Sequence, residues 1–274
     1  MSLFAVDESK CTSCGACVEE CPVKIIAMSG KLPVPVPELV EFCIDCGHCV
    51  TVCPYAALSH RAMSPSQCMA VPVRGGIDTA RAETFMRSRR SIRSFKKTAL
   101  AKEDIARLLD TARYAPSGHN SQPLSWTVIT GRDPVRRLAG LTADWMESVL
   151  QANPEMGKSL NFDRITANWK LGMDVISRDA PHLLLCHADQ ANVIAPSAAT
   201  IALAYLELAA HASGIGACWS GYTQYAAANF PPLREQLALP AGHVTLGAML
   251  LGRPKYRYHR IPVRKEPGVE WRTS

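Results

Sequence analysis

Two cysteine runs of identical spacing occupy the first quarter of the chain. Each run reads C-x2-C-x2-C-x3-C-P. The cysteines are Cys11, Cys14, Cys17 and Cys21 in the first copy and Cys43, Cys46, Cys49 and Cys53 in the second. Every cysteine of the first copy lies 32 positions before its counterpart. A constant offset of this kind indicates an internal repeat, so the segment is expected to fold as two copies of one ligand loop.

This spacing is typical of [4Fe–4S] ligation in bacterial ferredoxins. Three thiolates on a tight loop hold three corners of one iron–sulfur cube, and in two-cluster proteins the fourth cysteine ligates the other cluster. We therefore predict two [4Fe–4S] clusters. The first would be held by Cys11, Cys14, Cys17 and Cys53, and the second by Cys21, Cys43, Cys46 and Cys49. Gly15 and Gly47 would let backbone N–H groups approach the sulfurs.

Disulfides and a zinc site are the alternatives for these thiols. Disulfides persist in oxidising compartments, and the first ten residues lack the basic and then apolar pattern of an export signal. Zinc sites usually pair two C-x2-C knuckles rather than triplets followed by C-P. We therefore expect a reduced, cytoplasmic setting. The remaining Cys68, Cys186 and Cys218 are expected to be small core hydrophobes without a catalytic role.

Charge is distributed unevenly along the chain. Residues 1–66 carry four Lys/Arg and seven Asp/Glu, whereas residues 67–274 carry 26 and 17. This pattern indicates an acidic electron-transfer module joined to a basic body. We expect no nucleic-acid partner, because an anionic cofactor would account for much of the basic surplus. We expect no membrane partner either, because the most apolar run, residues 193–212, is interrupted by Pro196 and Glu207.

Composition along the chain predicts two domains. A two-cluster, ferredoxin-like domain is expected over residues 1–63, and a linker rich in Pro and Gly over residues 64–77. Residues 78–274 then alternate between helical and strand patterns, which predicts an α+β layered domain. Within it, we expect helices at about 102–114 and 164–178 and a buried strand at 182–187.

Two segments of the larger domain carry residues suited to cofactor binding. Residues 87–94 hold four arginines and three serines, and guanidinium and hydroxyl groups together suit a phosphate. Residues 115–123 read A-P-S-G-H-N-S-Q-P, a fixed turn in which Asn120 and Gln122 offer planar amides to the edge of a planar ring. Either segment alone is more often a solvated surface or a simple turn.

Taken together, these segments resemble the landmarks of FMN-dependent nitroreductases. The resemblance rests on R-R-S-I-R at 89–93, A-P-S at 115–117, N-S-Q-P at 120–123 and G-I-G-A-C-W-S-G at 214–221, and it covers about residues 80–274. With the cysteine runs, the whole chain is similar to ferredoxin–nitroreductase fusions. The resemblance implies an α+β fold, a nitroreductase-like sheet covered by helices, and an intertwined homodimer with FMN at its interface.

The resemblance also implies which residues bind FMN. Arg89, Arg90, Ser91 and Arg93 would take the phosphate and the ribityl or pyrimidine end. The ring would be contacted, usually across the dimer interface, by Pro116, Ser117, Gly118 and Asn120. Ser220 and Gly221 would lie near the flavin N5 edge, and Arg260 and Arg264 would close over the phosphate. The chain has Leu124 where relatives often place an aromatic residue, and Ser220 where many place an acid, so both positions bear on substrate preference.

The implied activity is that of an iron–sulfur flavoprotein oxidoreductase in which the flavin carries the chemistry and no side chain is catalytic. Electrons from reduced ferredoxin or NAD(P)H would pass through the clusters to FMN and then, as hydride, to a nitroaromatic, a quinone or another small flat electrophile. Two alternatives stay open. One is an electron relay or redox sensor without its own substrate, and the other is a flavin-dependent dehalogenase or dehydrogenase.

Overall fold

A computed structural model describes residues 2–72 and 76–273, and the chain divides into two compact units. The first unit comprises Met1–Gly76 with Gly118–Ser121, and the second comprises Ile77–Ser117 with Gln122–Ser274. The predicted linker at 64–77 includes residues 73–75, which lie outside the described residues. Its beginning forms a 3₁₀ turn at Pro65–Gln67, where the Ser64 N–H donates to Gln67 Oε1 at 2.8 Å.

The first unit consists of short strands and single-turn helices around a small apolar core. Its elements are β1 (Phe4–Val6), α1 (Ala16–Glu19), β2 (Ile26–Ser29), β3 (Leu32–Pro35), a 3₁₀ segment (Pro37–Phe42), α2 (His48–Thr51) and β4 (Leu58–His60). β1 pairs antiparallel with β4, and β2 pairs antiparallel with β3. Phe4, Ile25, Ile26, Val50 and Leu58 are buried between these pairs. So few apolar residues form a core that is small for a free-standing domain.

The backbone of the first unit keeps the 32-residue repeat. α1 and α2 begin and end at positions 32 apart, and the glycines before them, Gly15 and Gly47, have φ of 75° and 74°. Two pairs of non-glycine residues with left-handed backbone also lie 32 apart, namely Ser13 with Asp45 and Lys24 with Ala56. Because such conformations are uncommon outside glycine, their recurrence in register confirms the repeat predicted from the cysteines.

The second unit is a four-stranded sheet between two layers of helices. Its strands are β5 (Ser125–Thr130), β6 (His182–Asp189), β7 (Gly216–Trp219) and β8 (His243–Gly252). Its helices are α3 (Thr79–Ser88), α4 (Lys102–Ala112), α5 (Arg132–Ala152), α6 (Pro154–Ser159), α7 (Phe162–Lys170), α8 (Ala195–Ala212), α9 (Gly221–Asn229) and α10 (Pro231–Leu237). The strand order is β5-β6-β8-β7, and every neighbouring pair is antiparallel.

Side chains of the central strand β6 alternate between two cores. Leu183 and Leu185 pack into one core with α5, α7, α9 and α10, whereas Leu184 and Cys186 pack into the other with α4 and α8. This period of two is expected of a strand that is covered on both faces. Cys186 is fully buried, and burial raises its pKa to about 12, so the expectation that it is a core hydrophobe is confirmed. The predicted α+β class is confirmed as well.

The helix predicted at 164–178 is wrong at its carboxyl end. α7 stops at Lys170, and Gly172 adopts φ 83°. The Gly172 N–H donates to the Trp169 carbonyl at 2.9 Å, and the Met173 N–H donates to the Asn168 carbonyl at 3.0 Å. These bonds satisfy the last carbonyls of the helix and reverse the chain, as a glycine just beyond a helix end commonly does. Apolar periodicity continued past the glycine and misplaced the boundary.

Among residues 2–72 and 76–273, no helix combines the length and the apolar character that crossing a membrane requires. The apolar run at 193–212 forms α8 instead. Its Leu203 and Leu206 are fully buried against the sheet. The helix therefore supplies one wall of a core.

Candidate functional site

Four thiols from the two cysteine runs line one cavity of the first unit, called here the first cavity. Three of them, Cys11, Cys14 and Cys17, come from the first run, and the fourth, Cys53, comes from the second run. Met28 lies on the wall of the same cavity. The structure thus brings together the set that the sequence predicts for the first cluster.

The other four thiols line a second cavity of the same unit. Cys43, Cys46 and Cys49 come from the second run, and Cys21 comes from the first. Its apolar wall includes Phe4, Ile25 and Ile26. Since the fourth thiol comes from the other loop, each cavity has four soft donors in apolar surroundings, which fits an iron–sulfur cube.

The electrostatics of these thiols calls for a cation between them. The pKa of Cys49 is raised to about 11, chiefly by burial and also by the nearby Cys46, Cys43 and Cys21. Burial also raises the pKa of Cys17, to which the proximity of Cys14 and Cys53 contributes. Four thiolates so close together would repel one another. A metal cluster supplies the positive charge that keeps such ligands deprotonated.

His60 lies beside the second cavity, a position that no motif in the sequence indicated. The residue is 6% exposed, and its Nε2 lies 3.5 Å from Cys43 Sγ. Its Nδ1 accepts the Ala62 N–H at 3.1 Å. Burial lowers the pKa of His60, and the Asp45 carboxylate opposes this shift. The repeat could have drawn attention to it, because position 60 corresponds to position 28, where the first copy has methionine.

In the second unit, the segment of arginines and serines at 87–94, called here the arginine segment, begins in the last turn of α3 and lies against the edge of the sheet. The Ile92 N–H donates to the Ala217 carbonyl of β7 at 2.8 Å, and the Ile92 side chain packs against Gly216. Phe95 forms an isolated bridge with Pro254. These contacts fix the backbone on both sides of Ser91 and Arg93, the residues predicted to bind FMN.

Arg89 is held by a buried carboxylate. Its Nη1 donates to Oε1 of Glu207, an α8 residue that is 8% exposed, at 2.7 Å. The other oxygen, Oε2, accepts the indole N–H of Trp219 at 3.1 Å. Glu207 therefore links the arginine segment to β7, and the sequence analysis noted it only as a charge in an apolar run.

Arg90 has the features expected of a ligand for an anion. Its Nε is buried and makes no hydrogen bond within the described part of the chain. Burial lowers the pKa of Arg90, and the neighbouring charges of Arg264 and Arg89 lower it further. A buried donor without a partner beside two other cations is costly unless an anion binds there. The FMN phosphate fits this requirement.

Ser220 and Gly221 begin α9, a helix that the sequence analysis did not predict. Ser220 is buried, its N–H donates to the Ala248 carbonyl at 2.8 Å, and its hydroxyl donates to Thr223 Oγ1 at 2.9 Å. The hydroxyl is therefore already hydrogen-bonded inside the unit. Gly221 has open space at the position of a Cβ atom, so a ring could approach its backbone closely.

The four residues predicted to contact the ring are divided between the two units. Pro116 and Ser117 line a cleft of about 480 Å³ in the second unit, with Leu124 and Trp126 also on its walls. Gly118 and Asn120 belong to Gly118–Ser121, which is part of the first unit. The sequence predicted them within the larger domain at 78–274. In the first unit, the Asn120 amide donates to the carbonyls of Ile44 and Asp45 at 3.3 and 3.2 Å. Their contact with flavin stays a prediction.

The two arginines predicted to close over the phosphate lie in the exposed carboxyl-terminal segment. Arg264 is close enough to Arg90 to influence its pKa. Arg260 is exposed and makes no ion pair among the described residues. The structure therefore brings Arg89, Arg90 and Arg264 together and gives no such evidence for Arg260.

Two family models match the chain. The model of the nitroreductase family matches residues 86–253, and the model of a 4Fe–4S dicluster domain matches residues 9–58. The first match covers more than half of the chain and most of the second unit. The second match contains all eight cysteines of the two runs.

Individual relatives agree with these matches. The chain is 29% identical over 175 residues to a protein of Archaeoglobus fulgidus named as an NADH dehydrogenase/NAD(P)H nitroreductase, covering 61% of this chain and 82% of that protein. It is 39% identical over 59 residues to a 4-nitrobenzoate reductase of Pseudomonas putida, which is 22% of this chain and only 26% of that enzyme.

Among solved structures, a nitroreductase with bound FMN from Desulfitobacterium hafniense has a TM-score of 0.55 and 22% sequence identity. The comparison covers 67% of this chain and 93% of that one. At this identity, the likeness establishes the fold.

Proposed function

Because the chain belongs to the nitroreductase family and carries an N-terminal 4Fe–4S dicluster domain, we propose that this oxidoreductase uses FMN to reduce a small flat electrophile, such as a nitroaromatic or a quinone. Electrons enter through two [4Fe–4S] clusters. The observation that carries the proposal is the gathering of the eight thiols into two groups of four in the same chain as the nitroreductase fold.

The residues of the second unit provide an anion site suited to FMN. Arg90 and Arg264 bind the phosphate, and Arg89 is oriented by Glu207. Ser91 and Arg93 reach the ribityl or pyrimidine end from a segment fixed to β7. When bound, FMN supplies the conversion of single electrons into hydride transfer. The clusters, when bound, supply one-electron carriage.

The ring site is completed by a second copy of the chain. α8 exposes Ile201 and Tyr205, and the carboxyl-terminal segment exposes Trp271 at 88%. Exposed apolar side chains of this size suit an interface between copies, and we place Pro116, Ser117, Gly118 and Asn120 on the ring across that interface. The donor is a reduced ferredoxin or NAD(P)H, and the thiolate ligands suit a reducing, cytoplasmic setting.

Composition and turnover of protein purified without oxygen test the proposal. We expect eight irons and one FMN per chain, and saturable reoxidation of the reduced flavin by nitrobenzene or menadione. Arg89→Ala is expected to lower FMN occupancy and leave the iron content intact, whereas Arg81→Ala, an exposed arginine of α3, should leave both intact.

Three outcomes would contradict parts of this proposal. Reoxidation by a protein acceptor alone would indicate an electron relay. Reoxidation only by a halogenated or unsaturated substrate would indicate a dehalogenase or dehydrogenase. A colourless protein without sulfide or flavin would exclude all three functions.

A further inference from the structure

The two thiol cavities differ at one position of the repeat. β2 and β4 begin 32 residues apart, so Met28 of β2 and His60 of β4 occupy equivalent places. Met28 lines the first cavity, and His60 lines the second. A thioether offers no N–H donor, whereas an imidazole does. The two cavities therefore have the same four ligand types and different neighbours.

The hydrogen bonds of His60 decide which nitrogen carries its proton. The Ala62 N–H can only donate, so Nδ1, which lies 3.1 Å from it, accepts and has no proton. In the neutral ring, the proton is then on Nε2. That nitrogen lies 3.5 Å from Cys43 Sγ, within the range for a hydrogen bond to sulfur, and 3.6 Å from Asp45 Oδ1, which is long for one to oxygen.

We propose that His60 donates its Nε2–H to the Cys43 thiolate and thereby raises the reduction potential of the second cluster, the one assigned to Cys21, Cys43, Cys46 and Cys49. Hydrogen bonds to the sulfurs are among the factors that set cluster potentials. One-electron reduction, for example by dithionite, adds one negative charge to the cluster and its thiolates. A fixed N–H dipole stabilises that added charge, and no proton moves in the step.

Other groups near the two cavities do not provide the same effect. Asp45 and Arg61 form an ion pair with Arg61 Nη2 at 3.0 Å, so their charges largely offset each other at the second cavity. In the first cavity, the Ala57 N–H donates to Cys53 Sγ at 3.3 Å. That donor is backbone and stays in place when side chains are replaced. His60 is therefore a side-chain donor whose contribution can be removed.

A redox titration followed by EPR tests the effect on potential. His60→Met gives the second cavity the residue of the first. It is expected to lower the equilibrium constant for reduction of one of the two clusters about tenfold, which lowers its midpoint potential by about 59 mV for a one-electron couple. The other midpoint should stay in place. His48→Met makes the same replacement at an exposed histidine between two ligands of the same cavity, and it should shift neither midpoint. Equal shifts in the two variants would overturn the proposal.

A second measurement uses the unaltered protein and does not depend on the folding of a variant. The protein is labelled with ¹⁵N-histidine, reduced, and measured by pulsed EPR. A histidine nitrogen coupled to one cluster is expected, and absence of that coupling would overturn the proposal.

The inference rests on the proposed ligand sets, and iron analysis of the same samples separates the two failures. Fewer than eight irons in the unaltered protein would contradict the clusters themselves. Eight irons with unchanged midpoints in His60→Met would contradict only the role of His60.

Discussion

The Glu207 carboxylate accepts a hydrogen bond from the Arg89 guanidinium at 2.7 Å, although 118 positions separate the two residues in the sequence. The same carboxylate accepts the Trp219 indole N–H at 3.1 Å. One buried acid therefore joins the arginine segment, α8 and β7. The arginine segment is attached to the rest of the second unit by a charge-assisted hydrogen bond as well as by backbone contacts.

Removing this carboxylate is expected to destabilise the second unit. Glu207→Ala leaves Arg89 and the Trp219 indole without their acceptor, which costs about 1–3 kcal/mol. All five tryptophans lie in this unit, so the urea midpoint of tryptophan fluorescence measures the effect. Glu235→Ala, at an exposed acid of α10, is the control and should leave the midpoint in place. Equal midpoints in the two variants would show that the pair adds no stability.

Loss of the Arg264 guanidinium is expected to weaken the binding of FMN more than the binding of riboflavin. Arg264 lies near Arg90, where we place the phosphate, and a hydrogen bond to a charged group contributes about 1.5–3 kcal/mol. Arg264→Ala should therefore reduce FMN affinity at least about tenfold. Riboflavin, which has no phosphate, should bind equally well to the unaltered protein and to Arg264→Ala. Flavin fluorescence titration measures both ligands, with Arg272→Ala as the control. An equal loss of riboflavin affinity would show that Arg264 does not act through the phosphate.

Cysteine replacement is expected to remove one cluster. Cys14 lines the first cavity, so Cys14→Ala should lower the iron content from eight to about four per chain and leave the flavin reducible by dithionite. Cys68 lies outside both sets of four, and Cys68→Ala should keep all eight irons. Iron and sulfide analysis of anaerobic samples decides the matter. A full complement of iron in Cys14→Ala would invalidate the ligand map.

A methyl group at Gly216 is expected to displace the arginine segment. A Cβ atom there would lie 2.9 Å from Ile92 Cγ2, closer than packed carbons allow. Overpacking of this kind costs about 1–3 kcal/mol. Gly216→Ala should therefore lower the midpoint temperature of unfolding. It should also weaken FMN binding, because Ile92 lies between Ser91 and Arg93. Gly268→Ala, where a Cβ has open space, should change neither property. A loss of stability with unchanged FMN affinity would show that the packing of Ile92 against Gly216 does not position the FMN site.

Acid is expected to destabilise the second unit through His182. This histidine is fully buried, its Nε2 accepts the Leu100 N–H at 2.8 Å, and burial lowers its pKa from 6.5. Below pH 6.5 the unfolded chain binds a proton that the folded chain rejects, so the free energy of unfolding falls as pH falls toward the folded pKa. The slope from one histidine is at most about 1.4 kcal/mol per pH unit.

Urea denaturation between pH 7.5 and 5.5 measures this dependence. His182→Gln should reduce the slope, whereas the exposed His259→Gln should leave it unchanged. An unchanged slope in His182→Gln would assign the acid sensitivity to other histidines, such as the buried His187 and the half-buried His211, whose pKa values burial also lowers.

Local patterns in the sequence predicted the features that depend on neighbours along the chain. Cysteine spacing predicted the grouping of thiols, and apolar periodicity predicted α4, with Ile105 and Leu108 buried as expected. The end of α7 was misplaced, because a glycine with positive φ interrupts a periodicity that apolar residues continue.

Contacts between distant segments could not be predicted in this way. Nothing near Glu207 in the sequence indicates that its carboxylate binds Arg89, and nothing near His60 indicates a distance of 3.5 Å to Cys43. Such contacts depend on how the sheets and helices pack. For His60, only the comparison with position 28 of the repeat offers a hint.

The exchange of the fourth cysteine between the two halves of the first unit has a consequence for its biogenesis. With the proposed ligand sets, neither half alone supplies four thiols, since Cys53 lines the first cavity and Cys21 lines the second. Under these ligand sets, neither cluster could have all four ligands before both loops have been synthesised.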